Sequence, residues 1–203
     1  MSITTTRTIL HVPHNLPPRI GHASNHDDIR AIIHTDSFER KNLKIPFRDR
    51  KDGYFAGWIS VLFDDEGRLK GLPRNQNAPQ LVGDVAIAVG YTYAKYHDDS
   101  NDDDSNDGED EHGDVLLNLE DVFENQDSAI QFLQLQNDLI AINAQMNAAV
   151  LQMIGDRSTS AQELRRAVAS TGLAERASEI QEGIRTFSFK RDKLLQEYER
   201  LFF

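Results

Sequence analysis

Residues 97–114 read HDDSNDDDSNDGEDEHGD, with ten acidic side chains among eighteen residues and neither Lys nor Arg. The whole chain has 33 acidic and 22 basic residues and a formal charge of −11; outside this tract, 23 acids face 22 bases. The excess charge therefore belongs to one segment. Asp, Asn, Ser and Gly cannot bury enough apolar area to offset chain entropy, so the tract is expected to be a disordered acidic linker. On that reading it separates a unit at residues 1–96 from a unit at residues 115–203.

Upstream, the pattern predicts a small β-rich α+β domain. Thr8 to Val12 is a short apolar run ending at Pro13, and Pro17, Pro18 and Gly21 mark a loop. Asp27 to His34 opens with acids and carries Ile29, Ile32 and Ile33 at helical spacing, which predicts a short helix. Tyr54–Phe63 (YFAGWISVLF) and Leu81–Val89 (LVGDVAIAV) are rich in β-branched or aromatic residues and read as buried strands. Asp64-Asp65-Glu66-Gly67 closes the first as a turn, with Gly67 free to take positive φ.

Downstream, 89 residues contain no Pro. Ser128-x-x-Gln131 reads as a capping box opening a helix that runs to about Ile154, and Ser160-x-x-Glu163 as a second box opening a short helix. Phe132, Leu135, Leu139, Ile142, Met146, Ala149 and Met153 step 3,4 along the first helix. Leu173, Ala177, Ile180, Ile184, Phe187, Leu194, Tyr198 and Leu201 follow a similar repeat in a last helix, broken only at Arg191. That spacing predicts an α-helical, coiled-coil-like hairpin or small bundle. Phe132, Leu135, Leu139, Ile142, Met146, Ile180, Ile184, Phe187 and Leu194 are its expected packing or self-association positions.

Composition removes several function classes. There is no Cys, so disulfides, thiol catalysis and Cys-based metal sites are excluded. No apolar run is long enough for a membrane span and the N-terminus lacks a secretory pattern, so an intracellular setting is expected. Nucleophile elbows, phosphate loops and His-Glu-x-x-His are absent, so no enzyme activity and no cofactor are expected. His11-x-x-His14 and His22-x-x-x-His26 have metal-ligand spacing but lie among prolines, and read as polar loop residues. Asp103–Asp114 partly mimics a calcium loop but lacks the Glu at position 12 and a preceding amphipathic helix, so no metal site is expected.

The stretch VLFDDEGRLKGLPRNQNAPQLVGDVAIAVG, residues 61–90, carries an ordered set of short elements. These are a strand, the turn Asp65-Glu66-Gly67, Leu69-Lys70, then Leu72-Pro73-Arg74-Asn75, Ala78, and Val82-Gly83-Asp84 entering a second strand. The pattern resembles a small domain of unknown function found in phage, plasmid and large algal- or amoeba-virus genomes. The resemblance implies a small α+β fold and a mobile-element setting, with the host cytoplasm as location if viral. It implies no activity.

Two sets of cations are candidate anion or nucleic-acid sites. Arg40, Lys41, Lys44, Arg48, Arg50 and Lys51 lie within twelve residues, near Phe38, Phe47, Tyr54 and Trp58. Arg68, Lys70, Arg74 and Asn75 share one loop-like connection. Opposite charge blocks also suggest that the acidic tract competes for the basic stretch. The expected function is a non-enzymatic accessory protein of a virus or mobile element that binds a protein partner and self-associates through its helices. The alternatives are a nucleic-acid-binding factor using residues 40–51, or an acidic decoy of nucleic acid.

Overall fold

The computed structural model describes residues 5–46, 53–95, 111–155, 169 and 171–203. The fold is α+β, a six-stranded antiparallel sheet with helices on both faces. Its strands are β1 (Arg7–Val12), β2 (Arg19–Ala23), β3 (Phe38–Pro46), β4 (Gly53–Asp64), β5 (Val85–Lys95) and β6 (Glu111–Leu117). The helices are α1 (His26–Ile32), α2 (Gln126–Gly155), α3 (Leu173–Arg185) and α4 (Asp192–Phe202), with a 3-10 turn at Leu119–Asp121.

β5 organises the sheet. One edge pairs along its whole length with β4, from Gly53↔Lys95 to Phe63↔Val85. The other edge is shared: β1 pairs with its start, Val12↔Val85 to Leu10↔Ile87, and β6 with its end, Val89↔Leu117 to Lys95↔Glu111. Where β1 and β6 meet, Asn118 Oδ1 accepts from Thr8 N at 3.2 Å and Thr8 Oγ1 accepts from Leu119 N at 3.0 Å. The spatial order is β2-β1-β5-β4-β3 with β6 beside β5, so β3 and β2 end the main path.

Period-two alternation assigns each strand residue to a face. Val85, Ile87, Val89 and Tyr91 of β5 join Phe55, Ile59, Val61 and Phe63 of β4 in one hydrophobic cluster. Phe132 and Leu133 of α2, Ile184 of α3 and Leu194 of α4 complete that cluster. Ala86 and Ala88 join Ile9, Trp58, Leu62 and Leu116 on the opposite face, covered by Ile29 of α1 and the following Ile33. Two glycines let the layers approach. A Cβ on Gly57 would lie 2.9 Å from Leu194 Cδ1, and one on Gly90 would strike the Trp58 ring and the Val115 carbonyl.

This arrangement revises several expectations. Residues 111–114, expected in the linker, are strand β6, and Val115–Leu117, expected in the helical part, continue it. Pairing to β5 supplies the backbone partners that composition alone could not reveal. The acidic tract thus enters after Lys95 and leaves at Glu111, opposite each other in register: it connects the two strands of a hairpin. Residues 97–110 lie outside the described residues. Sheet and helices share one hydrophobic cluster rather than separate cores on either side of a linker.

The helical part differs as well. Asn125, not Ser128, caps α2: its Oδ1 accepts from Ser128 N at 2.9 Å and Ser128 Oγ at 3.1 Å. The second capping box, at Ser160, lies outside the described residues. The expected last helix is two helices, α3 and α4. Between them Phe187 and Phe189 both turn onto Phe123 and Phe132, with ring centroids 5.7–6.3 Å apart, a period-two placement that a helix cannot provide. Lys190 N donates to Val122 O at 2.8 Å and fixes the break. Gly67 is not a positive-φ residue; a Cβ there would lie 2.6 Å from Val82 Cγ2, so close packing explains it. The strand expected at Leu81–Val89 begins at Val85, after an isolated bridge Arg74↔Val82.

Candidate functional site

Within the basic stretch expected as an anion or nucleic-acid site, residues 40–46 belong to edge strand β3. Its register against β4 puts Arg40 opposite Leu62 and Lys44 opposite Trp58, while Lys41 lies opposite Val61 on the other face. The cations are thereby divided between the faces. Lys41 pairs with Glu39 at 2.8 Å and Lys44 is exposed. Arg48, Arg50 and Lys51 lie outside the described residues.

Arg40 is the centre of one cluster. Its guanidinium lies 5.8 Å from the centroid of Trp58, donates to His26 Nε2 at 2.8 Å, and pairs with Asp114 at 3.8 Å. Asp114, the last acid of the tract, also accepts from Thr92 Oγ1. An acid of the tract therefore already pairs with a cation of the basic stretch. Burial, the largest influence, and the neighbouring Arg40 charge hold the His26 imidazole below its ordinary value. Trp58 is buried, and its Nε1 has no hydrogen-bond partner among the described residues. Two of the four aromatic rings expected for base stacking are covered by arginines: Trp58 lies under Arg40, and Phe38 lies 5.4 Å from the Arg30 guanidinium, while Phe47 lies outside the described residues.

At the turn after β4 the second set of cations divides into two roles. Lys70 is tied to Asp64 at 3.0 Å and lies 3.6 Å from Glu66. Burial opposes ionisation of Asp64, but hydrogen bonds from Lys70, Thr35 and the Glu66 backbone outweigh it and hold the carboxyl below its usual range. Asn75 is fully buried: Nδ2 donates to Val12 O at 2.9 Å and Gly83 O at 3.0 Å, and Oδ1 accepts from Asn77 N and Ala78 N. Its amide is a structural tie and not an anion contact. Arg68 and Arg74 do come together, around a hollow of about 340 Å3 with Leu72, Gln80 and Val82. Arg68 there donates to Gln80 O at 3.3 Å.

The Gly83-Asp84 pair, part of the 61–90 pattern, builds a polar hub with His11 and His14 that the pattern itself did not indicate. Gly83 has φ 69°, the left-handed region, and a Cβ there would meet Leu72 Cδ1 at 2.8 Å. The carboxylate of Asp84 is mostly buried and accepts from His14 N at 2.9 Å, His14 Nδ1 at 3.0 Å and His11 Nε2 at 3.1 Å. Arg19 Nε donates to His11 Nδ1 at 3.3 Å, which assigns the His11 proton to Nε2. Burial, the largest influence on His11, lowers its pKa against the opposing pull of Asp84. Burial also resists ionisation of Asp84, but the bonds from His14 and His11 together keep it ionised below its ordinary value. The His11 bond is thus from a neutral imidazole to a carboxylate. His11, expected as a polar loop residue, is instead buried in strand β1, and the carboxylate seventy residues away that joins it to His14 left no signal in the spacing.

The nine expected self-association positions lie within the chain's own packing. Phe132, Ile142, Ile184 and Leu194 are buried; Leu135, Leu139, Ile180 and Phe187 pack against the main cluster; Met146 is half-buried. Among the described residues, no three His, Asp or Glu side chains group as a metal ion requires, and no helix is long and apolar enough to cross a membrane. Comparisons with protein-family models, with curated proteins and with solved structures gave no match, so the site's reading rests on its geometry.

Proposed function

We propose that the chain is a non-enzymatic accessory protein of a virus or mobile element, working inside a cell, that binds a protein partner. The partner contributes an extended acidic segment, which adds as a strand to the outer edge of β3. The supporting observation is that this edge has no strand partner among the described residues, while Arg40 and Lys44 flank it on one face and Lys41 on the other. Strand addition uses the open backbone groups for affinity and alternate side chains for selectivity. Lys and Arg on an edge also discourage unwanted pairing, and an acidic strand is the kind they would admit. The mobile-element setting rests on the resemblance over residues 61–90.

The acidic connection fits this reading as an internal competitor. Gly53, Lys95 and Glu111 lie side by side in register, so the connections at 47–52 and 96–110 leave the sheet from the same end. The pair Arg40–Asp114 is one such competing contact. Self-association through the helical stripe is left out of this reading because those residues are packed internally. Single-stranded nucleic acid is the second reading, weakened because Trp58 and Phe38 are covered by arginines.

Fluorescence anisotropy with a labelled twelve-residue peptide alternating Asp and Val, and with labelled oligo-dT, tests the choice. Peptide binding that weakens with salt, and by about tenfold in the double variant Lys41→Glu, Lys44→Glu, supports it. No peptide binding, alongside salt-sensitive oligo-dT binding, replaces it with the nucleic-acid reading.

A further inference from the structure

Beside the Asp84 hub lies a cavity of about 310 Å3. Leu16, Ile33 and Leu72 form its apolar side, and His14, Arg19 and His34 contribute its cationic or proton-carrying groups. Each of the three has its reactive atoms uncommitted. His14 engages Asp84 through Nδ1, so Nε2 has no partner among the described residues. Arg19 uses Nε on His11, and its Nη groups have no partner among the described residues. His34 follows α1 with φ 55°, the only positive φ at a non-glycine position among the described residues. The helix ends there with Thr35 N donating to Arg30 O at 3.1 Å, an arrangement that Gly serves at lower cost. An imidazole at a glycine position, on the wall of a cavity, is the type of local strain that accompanies binding sites.

We propose that this cavity binds a small organic phosphate monoester, with the phosphoryl oxygens against Arg19, His14 and His34 and the organic group against Leu16, Ile33 and Leu72. An arginine with two free Nη groups and two imidazoles suit the several terminal oxygens of a tetrahedral phosphoryl group better than a planar carboxylate. With Nδ1 held by Asp84, His14 Nε2 faces the ligand as an acceptor for a P–OH. Asp84 lines the cavity as a carboxylate; its two oxygens are turned to His14 and His11, and the Arg19 guanidinium, joined to it through His11, offsets its charge toward an anionic ligand. The volume lies at the lower end of the range of about 300–1,000 Å3 for small-molecule sites, which favours a small ester over a dinucleotide. This site is independent of the β3 edge.

The test is calorimetric titration of the full chain with phenyl phosphate, inorganic phosphate and benzoate. Phenyl phosphate is expected to bind at least tenfold more tightly than either comparator. Arg19→Gln should weaken it at least tenfold. His34→Gly should weaken it severalfold while raising Tm, because Gly adopts φ 55° freely; a merely structural His34 would move only Tm. The proposal is overturned if phenyl phosphate binds no more tightly than inorganic phosphate, or if both variants bind it unchanged. A phosphotyrosyl peptide binding tenfold more tightly than phenyl phosphate would overturn the small-molecule assignment in favour of a protein ligand.

Discussion

Leu194 of α4 is fully buried against the sheet where Gly57 leaves no side chain, and this contact can be taken apart from both sides. Leu194→Ala removes a fully buried side chain and leaves a cavity, at a cost of about 2–5 kcal/mol. Gly57→Ala places a Cβ 2.9 Å from Leu194 Cδ1 and 3.2 Å from Ile45 Cβ, closer than such atoms pack, so it costs about 1–3 kcal/mol by overpacking. In the double variant the added methyl enters space that Leu194 vacated. Only the 3.2 Å approach to Ile45 Cβ then remains, and Gly in a strand interior is itself about 0.5–1 kcal/mol worse than Ala, so Gly57→Ala should there cost much less than in the parent chain, down to neutral. The expected coupling is about 1–3 kcal/mol of non-additivity. Urea unfolding followed by far-UV circular dichroism and by the fluorescence of Trp58, the chain's single tryptophan, measures all four species. Strictly additive losses would refute the packing of α4 on β4.

Other consequences follow from the same contacts. Asn75→Ala leaves two buried carbonyls and two N–H groups without their partner, and should lower unfolding free energy by about 3–5 kcal/mol in urea titration. Phe189→Ala removes a half-buried ring from the four-phenylalanine cluster and should cost about 2 kcal/mol, with no change in m-value. His11 and His26 are both held below the ordinary histidine value of 6.5. The unfolded chain then binds protons that the folded chain does not, so stability should fall as pH drops below 6.5 and level off below the folded-state values. Urea midpoints at pH 7.5, 6.5 and 5.5 check the sign, and His11→Gln should flatten part of the slope.

What could be read from the sequence depended on whether local pattern and tertiary partner agreed. β4 and α1 were legible because aromatic and β-branched density, or acids before a helical apolar spacing, match the environments they occupy. β3 was not, because its three cations, Arg40, Lys41 and Lys44, outweighed the alternation of Leu43 and Ile45, and an edge strand tolerates charge on both faces. β6 was hidden by its acids: Glu111–Asp114 is strand only because β5 offers an edge to pair with. The 3,4 stripe on α2 and α3 was correctly read as apolar, but that spacing is shared by coiled-coil seams and by helices lying on a sheet. At the candidate sites, Arg68 and Arg74 of the four expected residues line one hollow, while Lys70 is tied to Asp64. Asn75 turned inward, and Asp84 gained importance, through partners distant in sequence.

The central claim is that the acidic tract closes a hairpin within one cooperative unit and does not separate two. Replacing residues 96–110 with Asn-Gly tests it directly, since Lys95 and Glu111 already face each other across a register that such a turn can close. Shortening the loop from fifteen residues to two is nearly three halvings of length, which should stabilise the fold by about 1.5–2 kcal/mol. The account predicts a single unfolding transition, shifted to higher urea, with Trp58 fluorescence and helical signal coincident. A destabilised chain, or separate transitions for sheet and helices, would contradict it.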